Sequence, residues 1–204
     1  MKVFVVKYNA GNIRSVVNAL RRIGEEPLVT DSPELLREAD RVIFPGQGEA
    51  SNTMAYLRES GLDAVIRSLT QPVLGICIGQ QLLCESSEEG GSVPCLGVYE
   101  GVPVRSFRNL WPGAPAKLPH IGWNTVEALS SPLFSGIGEG EYVYFIHSYC
   151  VPLSHYTIAA TEYGGVRYSS AMRRDNFYAT QFHPEKSGAV GERLLHNFIH
   201  LCHD

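Results

Sequence analysis

The sequence predicts an α/β protein whose doubly wound, mostly parallel sheet carries an antiparallel extension. In the N-terminal half, short apolar runs alternate with stretches of helical periodicity, which is typical of parallel β-α-β units. In the second half, many residues are β-branched or aromatic and turn signals separate the runs, which favours antiparallel strands. Because the chain has 204 residues and no linker or repeat, we expect a single domain over 1–204.

The N-terminal half predicts strands and helical segments in alternation. Ser32 and Pro33 mark a helix start as N-cap and first helical residue, and Gly61 breaks the third helical segment. The strands are expected at KVFVVK, EPLVT, RVIFPG and PVLGIC. The helical segments are expected at NIRSVVNALRRIG, SPELLREAD, EASNTMAYLRESGLDAVIRSL and IGQQLLCESS.

The C-terminal half predicts a series of strands closed by one helix. The strands are expected at GVPVRSF, WNTVEAL, EYVYFIHSYC, YTIAATEYG, GVRYSSAMRR and NFYATQFHP. The segment RNLWPGAPAKLPHIGW is rich in Pro and Gly and is expected to be a loop. The closing segment SGAVGERLLHNFIHLC has the apolar periodicity of an amphipathic helix.

The composition argues against several classes of protein. A net charge of −4 gives no reason to expect nucleic acid or an anionic membrane as partner. No run approaches the roughly 20 apolar residues of a membrane span, and the N-terminus is interpreted as a strand rather than a signal peptide. Five cysteines without paired spacing argue against disulfides and structural zinc. We therefore expect a cytoplasmic protein without a metal or cofactor.

The segment from Gly75 to Gln81, GICIGQQ, predicts a nucleophile at a sharp turn. A strand runs directly into a helix, so Cys77 is expected at the carboxyl edge of the sheet, where open α/β folds bind ligands. Gly75 and Gly79 would remove colliding side chains, as in the G-x-S-x-G elbow. We expect a presented thiol, with the N–H of Ile78 facing an oxyanion. The alternative is a buried cysteine with glycines for close packing.

His183 is the best candidate for the base that a thiol nucleophile requires. It follows an apolar strand, and Glu185 would lie on the same side of an extended chain. The carboxylate would then hold the imidazole in one tautomer, as the acid of a catalytic triad does. The alternative is a loop histidine beside an exposed glutamate. His196 and His200 have a metal-binding spacing but are expected to be solvated surface.

The segment FPGQGEA places a second glycine-rich turn at the same sheet edge. Glycines there let the backbone approach a ligand closely, and an N–H of Gly46, Gln47 or Gly48 could complete an oxyanion hole. Phosphate binding is a weaker interpretation, because no lysine follows as a P-loop requires. A plain strand-to-helix turn is the remaining alternative.

Together, these motifs resemble class I, triad-type glutamine amidotransferases, whose fold is flavodoxin-like. G-x-C-x-G-x-Q, P-G-x-G and H-P-E match in order and separation. The segments YNAGNIRSV, LPHIGWN, FIHSYC and QFHPEKS further resemble the glutaminase-subunit family of imidazole glycerol phosphate synthase. The resemblance covers essentially the whole chain and implies a glutaminase.

The resemblance also implies a role for individual residues. Cys77 would attack the glutamine amide and form a thioester, His183 would transfer protons, and Glu185 would orient His183. The oxyanion hole would use the N–H groups of Gly46, Gln47, Gly48 and Ile78. The substrate contacts would be Gln81, His147, Ser148 and Tyr149.

The implied partner is a cyclase subunit with a (β/α)8-barrel fold, in a heterodimer that makes imidazole glycerol phosphate and aminoimidazole carboxamide ribotide for histidine biosynthesis. The residues at matching interface positions are Asn12, Pro119, Ile121, Trp123 and Lys186. Independently of the resemblance, a tryptophan in this Pro- and Gly-rich loop suits an aromatic anchor of an interface. The alternative is that Trp123 packs on its own domain.

Other functions remain open at this point. A paralogous glutaminase that supplies ammonia to a sugar-aminating synthase of surface polysaccharide would share all the catalytic residues. A non-catalytic binding module on the same fold should lack Cys77, His183 or Glu185, and all three are present. A cysteine hydrolase or chaperone-like relative would carry histidine directly after the cysteine, where Ile78 stands.

Overall fold

The computed structural model describes residues 1–8, 12–110, 112 and 117–203. The helices are α1 (Ile13–Arg22), α2 (Pro33–Arg37), α3 (Ala50–Glu59), α4 (Leu62–Arg67), α5 (Ile78–Leu83), α6 (Phe107–Leu110) and α7 (Gly188–His200). The strands are β1 (Val3–Val6), β2 (Leu28–Thr30), β3 (Arg41–Phe44), β4 (Val73–Ile76), β5 (Cys84–Ser87), β6 (Val93–Pro94), β7 (Tyr99–Ser106), β8 (His120–Thr125), β9 (Tyr142–His147), β10 (Tyr149–Cys150), β11 (Thr157–Tyr163), β12 (Val166–Arg174) and β13 (Phe177–Thr180). Single 3₁₀ turns occupy Pro132–Phe134 and Pro184–Lys186.

The main sheet confirms the predicted fold class. Over the described ranges it has seven strands in the order β11-β12-β13-β4-β3-β1-β2. Strands β13, β4, β3, β1 and β2 are parallel, whereas β11 and β12 pair antiparallel at one side. The parallel part has the 2-1-3-4-5 order of flavodoxin-like sheets, with β13 in the fifth place.

Both faces of this sheet are covered, as a doubly wound fold requires. Val3 and Val5 of β1 join one buried cluster, which includes residues of α1 and α7. Phe4 and Val6 join a second cluster with residues of α3, α4 and α5. Successive side chains of a strand point to opposite faces, so a run of apolar residues is buried on both sides.

The predicted helix boundaries of the N-terminal half are largely confirmed. The Ser32 hydroxyl accepts a hydrogen bond from the Leu35 N–H at 3.3 Å, and Pro33 is the first residue of α2. Gly61 has a φ of 71° and separates α3 from α4. Among the described residues, no helix is long and apolar enough to cross a membrane.

The prediction of one helix through IGQQLLCESS is wrong in its second part. The helix α5 ends at Leu83, and Cys84–Ser87 form β5. This strand pairs parallel with β7 and antiparallel with β6, in a smaller four-stranded sheet of the described chain. Serine and cysteine have little helix propensity, so strand pairing decides the conformation of this segment.

The predicted loop before Trp123 and the predicted strand after it are both displaced. Residues His120–Thr125 form β8, which pairs antiparallel with β9 from His120↔His147 to Thr125↔Tyr142. Residues 111 and 113–116 of the predicted loop lie outside the described part of the chain. Beyond Thr125 the predicted strand does not continue, and an isolated bridge joins Glu127 to Ala160.

Candidate active site

The turn at Cys77 has the strained geometry of a nucleophile elbow. Cys77 lies between the end of β4 and the start of α5, with a φ of 54° and a ψ of −106°. A positive φ is unusual for a residue with a side chain, and strain of this kind concentrates at functional sites. The Cys77 N–H donates to the Thr180 carbonyl at 2.7 Å, so the turn is tied to β13. The predicted elbow is present in the structure.

The two flanking glycines permit a close approach between strand and helix. A Cβ at Gly79 would overlap the carbonyl oxygen of Phe44 in β3. A Cβ at Gly75 would lie 2.8 Å from Leu83 Cδ1 and 2.9 Å from the Gly79 carbonyl. Any larger residue would push α5 away from the sheet, so the glycines determine where the helix starts.

The thiol of Cys77 is largely enclosed, which corrects the expectation of a presented side chain. Only 7% of Cys77 is exposed, and that surface faces a cavity. Its Sγ donates to the Ile146 carbonyl at 3.8 Å and accepts from Gln181 Nε2 at 3.7 Å. The neighbouring strands wall the elbow, so a reagent reaches the thiol through the cavity.

His183 and Glu185 form a buried pair at the same edge of the sheet. His183 Nδ1 lies 2.7 Å from Glu185 Oε1, and neither side chain is exposed. Because a carboxylate can only accept, Nδ1 carries the proton and Nε2 is left for chemistry. The predicted pairing is present, but its predicted geometry is wrong. The strand β13 ends at Thr180, and the 3₁₀ turn Pro184–Lys186 folds Glu185 back towards the imidazole.

The charges around His183 favour its protonated form. Burial works against an imidazolium, but interactions with the Cys77 thiol and with Glu185 outweigh it and raise the pKa of His183 to about 10. Nε2 of His183 makes no hydrogen bond of ordinary geometry within the described residues, and His183 lines the same cavity as Cys77. The arrangement therefore couples the proton of the histidine to the charge on the sulfur.

Asn12 has an unexpected position beside this pair. Its Nδ2 donates to Glu185 Oε1, the same oxygen that His183 contacts. The family resemblance implied an interface position for Asn12. The structure shows that its side chain also supports the carboxylate, although Glu185 Oε2 is buried without a partner among the described residues.

The predicted glycine-rich loop packs directly on Ile78, the residue after Cys77. A Cβ at Gly46 would overlap Ile78 Cγ2 and approach the Tyr8 hydroxyl. That hydroxyl donates to the Pro45 carbonyl, and burial together with the charge of Cys77 raises the pKa of Tyr8. The loop and the N-terminus of α5 therefore meet beside the cavity that Cys77 lines, as an oxyanion hole built from both segments requires.

A cavity of about 280 Å³ opens between these segments. Most of the predicted substrate contacts and oxyanion residues line it. Sequence reasoning missed Glu89, whose Oε2 accepts a hydrogen bond from the Ala50 N–H at 2.8 Å. Burial and the charge of Glu49 raise the pKa of Glu89. The lining residues are Gln47, Gly48, Cys77, Ile78, Gln81, Glu89, Ile146, His147, Ser148, Tyr149 and His183.

The ring of His147 is engaged within the protein rather than free for a ligand. Its Nδ1 lies 2.8 Å from the Tyr149 carbonyl, and its Nε2 lies 3.2 Å from the Tyr168 hydroxyl. The same hydroxyl lies 3.2 Å from His120 Nδ1. His120 in turn is stacked between Tyr163 and Phe145. The predicted substrate contact through His147 is therefore limited to its backbone or the edge of its ring.

These two buried histidines predict how stability depends on pH. Burial lowers the pKa of His147 to about 3 and that of His120 to about 4. The unfolded chain takes up protons near pH 6.5 while both of these histidines stay neutral in the native state. The stability that they contribute is therefore fully present above pH 6.5 and declines as the pH falls towards 4 for His120 and towards 3 for His147. Each histidine contributes up to about 1.4 kcal/mol per pH unit. Urea unfolding measures the free energy of unfolding at pH 7 and at pH 5. The decrease between the two pH values should be smaller in His120→Phe than in the wild type.

The matched control for this experiment is His155→Phe. His155 is exposed and contacts Tyr156 at the surface, so the control should retain the wild-type dependence on pH. An unchanged dependence in His120→Phe would contradict the assignment of a neutral, buried His120.

Of the residues predicted for an interface, Pro119, Ile121 and Trp123 are exposed, whereas Asn12 and Lys186 are half-buried. Ile121 is 56% exposed and Trp123 is 55% exposed on β8. The Trp123 ring contacts Tyr144 at 5.9 Å, and Lys186 Nζ lies 5.8 Å from the centre of the Tyr144 ring. We call Ile121, Trp123, Tyr144 and Lys186 the ribbon surface, which Pro119 extends with a further exposed side chain.

The ribbon surface is connected to His183 and to the cavity. The backbone N–H of His183 donates a hydrogen bond to the backbone carbonyl of Tyr144 at 2.9 Å. Ile146, the cross-strand partner of Ile121, lines the cavity and contacts the thiol through its carbonyl. A protein bound on the ribbon surface would therefore lie next to Cys77 and His183.

Comparisons with known proteins identify the class to which this fold and site belong. The family model of class I glutamine amidotransferases matches residues 5–202, so the chain belongs to this family of enzymes. A solved glutamine amidotransferase structure shares the fold with a TM-score of 0.73 at 23% identity, covering 98% of each chain.

Curated relatives narrow the family further. Imidazole glycerol phosphate synthase subunit HisH of Bacteroides fragilis is 55% identical over 206 residues, covering 98% of this chain and all 100% of the relative. The same subunit of Bacteroides thetaiotaomicron is 54% identical, again with 98% and 100% covered. The chain therefore belongs to the HisH family, and the predicted resemblance is confirmed.

Proposed function

We propose that this chain hydrolyses the side-chain amide of glutamine at Cys77 and passes the ammonia to a cyclase subunit. The observation that carries the proposal is the convergence of a strained cysteine elbow and a buried His183–Glu185 pair on one cavity. The relatives named imidazole glycerol phosphate synthase subunit HisH support the same reaction.

The chemistry proceeds through a thioester. The Cys77 thiolate attacks the amide carbon, and the carbon–nitrogen bond breaks as His183 Nε2 gives its proton to the departing ammonia. Water then attacks the thioester, His183 accepts its proton, and the carbon–sulfur bond breaks to release glutamate and regenerate the thiolate. Glu185 keeps the proton on Nδ1, so that Nε2 faces the reaction throughout.

The cavity provides the remaining requirements. The N–H of Ile78 and those of the loop Gly46–Gly48 stabilise the oxyanion of each tetrahedral intermediate. Gln81, Ser148 and Tyr149 line the cavity and hold the amino-acid end of glutamine. The Glu89 carboxylate complements the α-ammonium group of the substrate, because opposite charges in a partly enclosed site attract strongly.

The partner we propose is a cyclase with a (β/α)8-barrel fold, bound as a heterodimer through the ribbon surface, Pro119 and Asn12. There the ammonia reacts with a phosphoribosyl-formimino intermediate, and the products are imidazole glycerol phosphate and aminoimidazole carboxamide ribotide. Exposed aromatic and aliphatic side chains such as Trp123 and Ile121 suit the centre of an interface. Five free cysteines fit the reducing cytoplasm that we propose as the compartment, and the chemistry needs no cofactor.

The alternative partner is a sugar-aminating synthase of surface polysaccharide. The catalytic residues do not discriminate between the two partners. The identities of 55% and 54% to HisH subunits over nearly the full chain favour the cyclase.

The test is coupled turnover with the cyclase subunit of the same organism. With glutamine and the formimino substrate, the mixture should form imidazole glycerol phosphate, and glutamine hydrolysis should be slow until the cyclase is added. Ammonium salts in place of glutamine provide the control for cyclase activity. Product formation from ammonium salts but never from glutamine would refute the proposed partner.

A further inference from the structure

We propose that Gln181 is a hydrogen-bond donor to the Cys77 thiolate, with its amide held in the donating orientation by Gln81. This inference rests on the proposed function, since it assigns a second contact to the sulfur that attacks glutamine. Gln181 would then act on the reacting atom through a hydrogen bond, without transferring a proton itself.

Gln181 occupies a buried position between two groups of the site. It follows β13, is completely buried, and lies two residues before His183. Its Nε2 lies 3.7 Å from Cys77 Sγ, and its Oε1 accepts from Gln81 Nε2 at 3.0 Å. Phe182, between Gln181 and His183, packs on Phe145 instead. A single short segment therefore brings both Gln181 and His183 to the thiol.

The orientation of the Gln181 amide follows from its neighbours. Gln81 Nε2 also lies 3.0 Å from the Tyr149 carbonyl oxygen, which can only accept. If the Gln81 amide were reversed, two oxygens would face each other, so Nε2 must point to this carbonyl. The second hydrogen of Nε2 then requires an acceptor, which is Gln181 Oε1. The N–H of Gln181 is consequently directed at the sulfur.

The Tyr149 carbonyl is itself held by a buried chain of hydrogen bonds. Because His147 is neutral, it has one donor, and Nδ1 must use it on the Tyr149 carbonyl. His147 Nε2 then accepts from the Tyr168 hydroxyl, whose oxygen accepts from His120 Nδ1. Every link has one possible direction. The chain therefore anchors Gln81 and Gln181 to a rigid part of the fold.

A donor at this position stabilises negative charge on sulfur. Hydrogen bonds to charged groups contribute more than neutral ones, and burial prevents water from replacing the lost donor. Removing the Gln181 amide should lower the fraction of thiolate at neutral pH. Because thiolate rather than thiol reacts with alkylating agents, the rate of Cys77 alkylation reports this fraction directly.

The experiment measures Cys77 alkylation by iodoacetamide at pH 7 in the full chain, with the modified peptide identified by mass spectrometry. Gln181→Met keeps the length of the side chain and removes both polar atoms. We expect alkylation of Cys77 to slow about 5-fold, corresponding to about 1 kcal/mol. Gln181→Asn, which is too short to reach both partners, should slow it similarly and covers the case in which the first variant does not fold.

Gln80→Met is the matched control. Gln80 is equally buried and adjacent to Gln81, but its Nε2 donates to the Ser169 carbonyl at 3.0 Å rather than to the thiol. In Gln80→Met, the rate of Cys77 alkylation should equal that of the wild type. An unchanged rate in the folded Gln181 variants, or an equal loss in Gln80→Met, would overturn the inference. Alkylation needs no glutamine turnover, so failure of the proposed function would appear separately, as glutaminase activity that persists without Cys77.

Discussion

Replacing Cys77 by alanine is expected to abolish glutamine hydrolysis, with a loss of at least about 10⁴-fold in kcat. The variant has no atom that can form the thioester, whereas the cavity and the ribbon surface are unchanged. Alanine and cysteine face the same penalty at a φ of 54°, so the elbow should keep its shape. The measurement is glutamate release in the presence of the cyclase subunit, together with the affinity between the two subunits, which should be retained.

The matched control for this substitution is Cys95→Ala. Cys95 is partly buried, its Sγ donates to the Val93 carbonyl, and it does not line the cavity. This control should hydrolyse glutamine at the wild-type rate. Full glutaminase activity in Cys77→Ala would exclude the thioester mechanism, whatever the control shows.

Replacing His183 by asparagine should reduce kcat by about 10³- to 10⁴-fold. The asparagine Nδ2 lies close to the place of the imidazole Nδ1, so Glu185 can keep a hydrogen-bond donor. The atom that disappears is Nε2, which we assign to proton transfer. The variant therefore separates the loss of a base from the cost of leaving a buried carboxylate without a partner.

His196→Asn provides the corresponding control. His196 is exposed on α7 and contacts His200 at the helix surface. Its kcat should equal that of the wild type, and both variants should unfold in urea at similar concentrations. A loss of less than 10-fold in a folded His183→Asn would contradict the assignment of His183 as the general acid and base.

Local sequence signals predicted most of the parallel sheet and its helices. Periodicity and helix boundaries are short-range properties, so signals such as Ser32, Pro33 and Gly61 had the expected effect. The segment Cys84–Ser87 was assigned to the wrong class of element, because its conformation depends on pairing with β7. The same explanation applies to His120–Trp123, whose strand conformation depends on β9.

The residues of the candidate site that belong to short sequence motifs could be predicted. The elbow at Cys77 depends on two neighbouring glycines, and the pairing of His183 with Glu185 depends on adjacent positions. Glu89 and Gln181 carry no comparable signal. Glu89 belongs to a run that reads as an ordinary turn, and Gln181 precedes His183 in a strand-like segment. Both reach the site only because distant strands bring them there.

The sequence by itself determined the fold class, the cysteine elbow, the pairing of His183 with Glu185 and the family, because each of these depends on local patterns of residues in the chain. The tertiary structure decided what surrounds them. In the folded chain the thiol of Cys77 is enclosed, the Asn12 side chain donates a hydrogen bond to Glu185, and both ring nitrogens of His147 have hydrogen-bond partners. Such contacts join residues as much as 173 positions apart. Their geometry depends on the packing of the whole sheet, and no local pattern of residue types contains that information.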